Sequence, residues 1–298
     1  MQQGKKILVT GGTGFVGKRL VGGLVAHGDS IDVVTRHPEA HRGARSGVEF
    51  VAWLPDLSRY DAVVHLAGQT ILARKWSGAV RDELVQSRIG TAKSLVDALA
   101  KSPKRPRLLV SASAVGFYGD RGDEVLTEES KKGTGFLADL SEAWEREALR
   151  AESLGVRTVC LRIGAVLGPG GGVLKELLPI FKLGLGGPVG NGKQWLSWIH
   201  WRDLVALIVF AIDHDAARGV LNAVAPEPAT NADFTRALGR ALHRPAFLPV
   251  PAFVLKLKLG DAASLALQSQ RVLPARAESL GFAFQFPTLG AALADIAD

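Results

Sequence analysis

The sequence has a single cysteine and no long hydrophobic run, and each absence excludes a class of protein. Cys160 is the only cysteine, so no internal disulfide bond can form, which is typical of a reducing compartment. The longest apolar run, residues 204–212, is far shorter than the roughly 20 residues of a membrane-spanning helix. Three apolar residues, 7–9, follow the first lysines, too few for the core of an export signal. These features predict a soluble, cytoplasmic protein without a membrane partner.

The sequence also lacks a concentrated run of charge and any cluster of metal-ligating residues. The formal net charge is +7, from 36 basic and 29 acidic residues, but the basic residues are scattered. Only residues 101–107 form a basic cluster, and its prolines favour a solvated loop. No His, Cys, Asp or Glu group has the spacing of a metal site, and no nucleophile elbow is present. We therefore expect no nucleic-acid partner and no metal. A local basic pocket would be enough to attract a polyanionic cofactor or substrate.

Short apolar runs alternate with helical patterns along the first two-thirds of the chain, which predicts an α/β fold with a doubly wound parallel sheet. The helical windows are 16–27, 79–100 and 136–154, with a short one at 173–183. The strand windows are 6–10, 31–35, 48–51, 62–66, 108–112 and 158–163. The alternation of apolar runs and helical patterns ends after Gly168. Residues 226–298 are predicted to be mostly helical and contain several prolines. We predict a core over 1–170, to which 197–225 returns, and a smaller, mostly helical C-terminal domain over 171–298.

The most informative motif is the glycine turn VTGGTGFVG at residues 9–17. Gly11, Gly14 and Gly17 follow a predicted strand and open a predicted helix. In a dinucleotide site the first glycine allows the tight turn, the second lets the backbone approach the pyrophosphate, and the third allows close helix–sheet packing. The motif therefore predicts a Rossmann sheet that binds a dinucleotide.

The end of the second predicted strand indicates which dinucleotide is bound. A site selective for NAD usually has an acidic residue there, which holds the ribose 2′-hydroxyl. This chain has Thr35 and Arg36, and the arginine can pair with a 2′-phosphate. Asp32 lies too early on the strand for the acidic role. An exposed arginine without a ligand is the alternative, but the sequence favours NADP(H) as the cofactor.

Three further motifs follow predicted strands: HLAG at 65–68, SASAVGFYG at 111–119 and RIGAVLG at 162–168. With the glycine turn, they resemble the extended short-chain dehydrogenase/reductase superfamily, the NAD(P)-dependent epimerases and dehydratases. Longer motifs, such as FKLGLGGP at 181–188 and GKQWLSWIH at 192–200, resemble a divergent branch of epimerase-family proteins with its own C-terminal domain. The resemblance implies further cofactor contacts at Glu83 and Arg88, beside Ser111, and near Gly164 and Ala165. The full predicted cofactor set is Gly11, Thr13, Gly14, Phe15, Val16, Gly17, Thr35, Arg36, Leu66, Ala67, Gly68, Glu83, Arg88, Ser111, Gly164 and Ala165.

The catalytic pair of that superfamily is missing from this chain. Its members use a tyrosine followed four residues later by a lysine, whose charge lowers the phenol pKa. At this spacing the corresponding helix pairs Phe136 with Leu140, or Leu137 with Ser141 in the next register, and neither supplies a phenol or an amine. Ser113 and Tyr118 remain as candidate catalytic residues, although for Tyr118 a place in the pocket wall is favoured over a role as proton donor.

Three functions stay open at this point. The first is an NADP-dependent oxidoreductase acting on an unidentified small molecule, and the second is a non-catalytic NADP-binding sensor or scaffold. The third, a sugar-nucleotide epimerase, is disfavoured by the missing pair. A homodimer is also left open by the sequence.

Overall fold

The computed structural model of the chain describes residues 4–41, 43, 46–71 and 75–297. Its strands are β1 (Lys6–Thr10), β2 (Ser30–Val34), β3 (Val48–Val51), β4 (Ala62–His65), β5 (Leu108–Ala114), β6 (Val125–Leu126), β7 (Arg157–Ile163), β8 (Ala165–Leu167), β9 (Trp195–Leu196), β10 (Trp198–His200), β11 (Gly219–Ala223), β12 (Ala229–Thr230) and β13 (Arg271–Val272).

The helices that cover these strands are α1 (Phe15–His27), α2 (Gly78–Val85), α3 (Thr91–Lys101), α4 (Phe136–Leu149), α5 (Gly172–Lys182), α6 (Trp201–Asp213), α7 (Asn231–Ala241), α8 (Ala252–Leu259), α9 (Ser264–Leu267), α10 (Ala275–Ser279) and α11 (Leu289–Ala297). A π-helical turn, Gln86–Gly90, joins α2 to α3, so the predicted window 79–100 is one helical run with a bulge. A 3₁₀ segment, Arg150–Leu154, ends α4 before Gly155, which adopts a φ of 78°.

The central sheet has the predicted parallel, doubly wound topology. Within the described residues, seven strands form it in the order β11-β7-β5-β4-β1-β2-β3. The chain moves outward in one direction from β1 to β3 and in the other from β4 to β11, so the strand order reverses between β1 and β4. Ligands of such sheets bind in the crevice at the carboxyl ends of the two strands at this switch point.

Both faces of the sheet are buried. Since successive side chains of a strand point to opposite faces, each strand contributes to the core on both sides. In β1, Ile7 and Val9 pack into the core beneath α1 and α6, whereas Leu8 packs on the other face against Leu95 and Leu99 of α3. Each of these side chains is fully buried. Cys160 of β7 is buried on the same face as Leu8, which confirms its predicted place in a strand.

The last third of the chain builds a separate apolar cluster. Phe181 of α5, Trp198 of β10, Phe234 of α7 and Leu289 of α11 all belong to it. Strand β11 nevertheless pairs in parallel with β7 at the edge of the central sheet, with Asn222 opposite Arg162. The C-terminal segment also returns to the first part of the chain, because β13 pairs with β6.

Candidate cofactor-binding site

The glycine turn after β1 is built so that two of its positions tolerate no side chain. Gly11 has a φ of 71°, and a Cβ there would lie 2.7 Å from the carbonyl carbon of Leu66. A Cβ on Gly17 would lie 2.1 Å from the carbonyl oxygen of Gly11. The turn therefore packs directly on the end of β4, and α1 packs directly on the turn.

Gly14 is different because the space around it is open. A Cβ at Gly14 would meet only the Gly11 carbonyl oxygen, at 3.2 Å. Gly14 is the N-cap of α1, no described side chain caps this helix, and its first turn contains no acidic residue. The first backbone N–H groups of a helix lack intrahelical partners and favour an anion. This cradle fits the pyrophosphate of a dinucleotide. Thr13, Phe15 and Val16 belong to the same turn.

A second glycine-rich segment, absent from the predicted site, lies over the start of α1. A Cβ on Gly171 would lie 2.0 Å from the Phe15 ring. The Arg19 guanidinium stacks 4.4 Å from the centroid of the same ring and donates a hydrogen bond to the Pro169 carbonyl oxygen. The signal that could have revealed this segment is the glycine run at 170–172.

The end of β2 presents Arg36 to solvent. Thr35 is held by its backbone, whose N–H donates to the Val51 carbonyl oxygen at 2.9 Å. Arg36 is exposed, and among the described residues no carboxylate pairs with it. Asp32 is buried, where it accepts a hydrogen bond from the Tyr60 hydroxyl at 2.7 Å. The cation at this edge of the sheet is therefore available to a ligand, whereas the nearby carboxylate is not.

A buried histidine holds the end of β4 in place. Thr10 Oγ1 accepts from the Ala67 N–H at 3.3 Å and can donate its own proton to His65 Nδ1 at 2.7 Å. His65 Nε2 lies 3.4 Å from Thr91 Oγ1, which donates to the Ser87 carbonyl oxygen at 2.8 Å. Burial lowers the pKa of His65 to about 4, so the ring is neutral at neutral pH. This chain of hydrogen bonds fixes Leu66, Ala67 and Gly68 relative to the π-helical turn.

The π-helical turn positions Arg88 beside Gly68. The Arg88 Cζ would lie 3.5 Å from a Cβ on Gly68, and its Nη2 donates to the Gln69 carbonyl oxygen at 2.8 Å. Burial lowers the pKa of Arg88 to about 10, which leaves it charged at neutral pH. Glu83 accepts from the Gln69 side-chain amide at 3.0 Å. π-Turns inside helices occur frequently at functional sites. Both predicted helix residues therefore reach the segment that follows β4.

Ser113 lies at the carboxyl end of β5 above a buried ion pair that the sequence reasoning missed. Its hydroxyl donates to Glu145 Oε1 at 2.6 Å. Arg162 binds both oxygens of the same carboxylate, each at 2.8 Å. Burial by itself would lower the pKa of Arg162, but the hydrogen bonds and charge of Glu145 outweigh it and the pKa is raised. An arginine inside the otherwise apolar strand 158–163 was the available signal.

Tyr118 does not face an open pocket, in contrast to the two roles considered for it. The side chain is fully buried. Its hydroxyl donates to Asn222 Oδ1 at 2.7 Å, lies 3.0 Å from the Thr127 carbonyl oxygen, and accepts from Arg162 Nη1 at 3.0 Å. Burial raises the pKa of Tyr118 despite the nearby arginine. This arrangement corrects the pocket-wall interpretation and gives no support to a proton-donor role, because protein groups already occupy the hydroxyl.

The helix face that would carry the catalytic pair is apolar. Phe136 contacts Trp76 edge-on at 5.6 Å between ring centroids, and Leu140 is buried in the same cluster. On the exposed side of α4, Asp139 and Glu142 both accept from Lys132 Nζ at 2.8 Å, as expected of a solvated face. His200 is a structural residue, because it is buried and its Nδ1 accepts from the Arg202 N–H at the start of α6.

The remaining predicted residues lie on the two strands beyond β4. Ser111 is buried in β5, opposite Cys160. A Cβ on Gly164 would lie 2.6 Å from the Ser197 carbonyl oxygen, which accepts from the Ala165 N–H at 2.8 Å. The carboxyl edge of the sheet thus collects the glycine turn, Arg36, the 66–68 segment and Gly164. Across the described ranges there is no metal-ligand cluster and no helix long and apolar enough to cross a membrane.

Comparison with known protein families agrees with this geometry. The profile of the NAD-dependent epimerase/dehydratase family matches residues 7–223. The chain belongs to this family. A second profile, a domain of unknown function called DUF1731, matches residues 250–296. This epimerase-family chain is 41% identical over 290 residues to the chloroplastic epimerase family protein SDR39U1 homolog of Arabidopsis thaliana, covering 94% of this chain and 83% of that protein. It is 35% identical to the epimerase family protein YfhF of Bacillus subtilis, covering 97% of each.

Solved structures extend the similarity. The crystal structure of human epimerase family protein SDR39U1 with NADPH has a TM-score of 0.91 and 38% identity, covering 98% of this chain and 99% of that one. A UDP-N-acetylglucosamine 4-epimerase from Bacillus cereus has a TM-score of 0.77 at 19% identity and covers 98% of each chain. At that identity the likeness supports the fold of the epimerase family alone.

Proposed function

We propose that the protein binds NADP(H) at the carboxyl edge of its sheet and serves as an oxidoreductase of an unidentified small molecule. The observation that carries the proposal is the uncapped start of α1 at Gly14, with exposed Arg36 at the neighbouring strand end. The human relative solved with NADPH supports the choice of cofactor. Gly11, Gly14 and the first turn of α1 would hold the pyrophosphate, and Arg36 the 2′-phosphate.

When bound, NADPH supplies a hydride to a substrate. The protein itself would orient the reactants and control the supply of the proton to the reduced product. Ser113 cannot serve as an acid in its observed state, because it is buried and its proton is donated to Glu145. Tyr118 is already committed to Asn222. The proton for a reduced product must then come from water or from the substrate itself. The reaction therefore lacks the rate enhancement of about 10²–10⁴-fold that a positioned general acid typically contributes.

A non-catalytic NADP(H) sensor or scaffold is the second candidate, and the apolar surface at Phe136 and Leu140 favours it. A sugar-nucleotide epimerase needs the tyrosine–lysine pair that this surface replaces. Consumption of NADPH during a screen of small carbonyl compounds separates the first candidate from the second, since a sensor binds the cofactor without oxidising it.

The cofactor proposal is tested by titrating the protein with NADPH and NADH and following nucleotide fluorescence. We expect NADPH to bind at least about tenfold tighter, a difference of about 1.4 kcal/mol, because Arg36 pairs with the 2′-phosphate. Arg36→Ala should remove the preference. Arg59→Ala is the matched control, since Arg59 is also an exposed arginine but precedes β4 at the opposite edge of the sheet. Equal affinities of the wild type for the two nucleotides would contradict the proposal.

A further inference from the structure

Exposed hydrophobic side chains are concentrated on one part of the molecule. Eight of the ten large exposed hydrophobic residues among those described lie in three segments, 180–185, 247–248 and 253–257. The most exposed are Leu257 at 78%, Leu183 at 74%, Phe247 at 72% and Phe253 at 71%. Contiguous apolar surface of this kind usually marks a site of interaction.

The three segments are adjacent in the fold. The Leu248 N–H donates to the Gly186 carbonyl oxygen at 3.2 Å, and the Val250 N–H donates to the Pro188 carbonyl oxygen at 2.8 Å. The chain then enters α8 at Ala252. We call the surface formed by the three segments the α8 face.

Local geometry directs these side chains outward. No residue of α8 is buried, although all eight are described, and Phe253 and Leu257 lie on one side of the helix at i and i+4. Helix α5 ends at Lys182, and just beyond it the Leu185 N–H donates to the Ile180 carbonyl oxygen. Such a helix end usually buries a contact between two hydrophobic residues, yet Ile180 and Leu185 are both exposed.

The α8 face is also cationic. Residues 234–260 contain five lysines and arginines and no aspartate or glutamate. Lys256 and Lys258 flank Leu257, and Arg244 donates from Nε to the Lys182 carbonyl oxygen at 3.0 Å. Arg236 is paired with Asp233. For Lys182, Arg240, Arg244, Lys256 and Lys258, no ion pair is formed with any described residue.

We propose that the α8 face binds the surface of an anionic phospholipid bilayer. Exposed hydrophobic side chains next to lysines suit this surface, because the apolar groups enter the boundary of the acyl chains while the ammonium groups reach the phosphates. The core of a protein–protein interface is depleted in lysine, and a second copy would bring two cationic faces together. The expectation of no membrane partner rested on the lack of a spanning segment and does not bear on surface binding.

The test is sedimentation of the full-length protein with phosphatidylcholine vesicles that either contain or lack phosphatidylglycerol. We expect binding only to the anionic vesicles, weakening as salt rises. Lys256→Glu with Lys258→Glu should weaken it at least about tenfold, and Phe253→Ser with Leu257→Ser should abolish it. Lys101→Glu with Lys104→Glu makes the same change of charge at the remote C-terminal end of α3, and Trp53→Ser removes an exposed aromatic group elsewhere. Both controls should bind like the wild type. NADPH affinity reports the fold of every variant.

Three results would overturn the proposal. One is equal sedimentation with neutral and anionic vesicles, or none with either. In another, the protein does not bind vesicles but is retained on immobilised polyglutamate, and Lys256→Glu with Lys258→Glu abolishes this retention. That result would mean that the face binds an acidic protein. The last is a dimer in analytical ultracentrifugation that Phe253→Ser with Leu257→Ser dissociates.

Discussion

The hydroxyl of Tyr118 has a structural role in this chain. It connects Arg162 of β7 to Asn222 of β11, and Asn222 in turn donates from its backbone N–H to Glu128 Oε1 at 2.9 Å. Buried groups of this kind stabilise a fold when all are satisfied and cost free energy when one partner is removed.

Tyr118→Phe should therefore lower the free energy of unfolding by about 1–3 kcal/mol and leave NADPH affinity unchanged, since the hydroxyl lies outside any open pocket. Urea denaturation and fluorescence titration measure the two quantities. Tyr60→Phe is the matched control, because it removes the chain's other buried phenol hydroxyl, bonded to Asp32. If Tyr118→Phe instead leaves stability intact and strongly reduces turnover of a substrate found by screening, Tyr118 is the proton donor.

At the scale of single elements, anion binding at the start of α1 depends on backbone N–H groups that no side chain caps. The glycine turn leaves the first N–H groups of the helix uncapped, and the segment 168–172 encloses it from one side by packing on Phe15. A side chain at Gly14 would project into the open space at this helix start.

Gly14→Val should abolish NADPH binding without preventing folding, because its Cβ would meet only the Gly11 carbonyl oxygen while its methyl groups occupy the space for the pyrophosphate. Circular dichroism and fluorescence titration test the two parts. Gly78→Val places the same side chain at the start of α2, where a Cβ would have no described neighbour within 4 Å, and it should bind NADPH normally. Normal NADPH binding by a folded Gly14→Val protein would mean that the pyrophosphate lies elsewhere.

For the whole molecule, burial of two histidines makes stability depend on pH. Burial lowers the pKa of both His65 and His200 to about 4. Between about pH 6.5 and pH 4 the unfolded chain binds protons at these positions that the folded chain does not. Their contribution to stability is therefore full above about pH 6.5 and is lost as the pH falls. Burial raises the pKa of Asp203 and Glu128, which opposes this trend at the acidic end.

We expect the free energy of unfolding to be lower at about pH 5 than at about pH 7, and His65→Asn to reduce the difference, since the asparagine amide can still accept from Thr10 but does not titrate. Urea denaturation at both pH values gives the comparison. The full effect of His65 is on the order of 3 kcal/mol. His37→Asn, at an exposed histidine, should change nothing. An unchanged pH difference in His65→Asn would show that this histidine does not control acid stability.

The sheet follows from the sequence pattern alone, and so does the prediction of a cofactor site at the glycine turn. The predicted strands 6–10 and 48–51 coincide with β1 and β3, because the short length and the β-branched residues of each segment favour a strand over a helix. The glycine turn could also be recognised from the sequence, since Gly11 and Gly17 have no room for a side chain and Gly14 leaves the start of α1 open. The absence of the tyrosine–lysine pair can also be seen in the sequence alone, because Phe136 and Leu140 stand at its four-residue spacing.

The hydrogen-bond partners of the polar side chains depend on the tertiary structure. Ser113 and Glu145 are 32 residues apart, and Tyr118 and Asn222 are 104 apart, so no local pattern could reveal that each pair forms a hydrogen bond. The α8 face has the same origin. Its hydrophobic residues are individually unremarkable in the sequence, and only the pairing of 186–190 with 248–250 shows that they form one exposed surface. Strand and turn formation depend on neighbours along the chain, whereas burial and hydrogen-bond partners depend on segments that folding brings together.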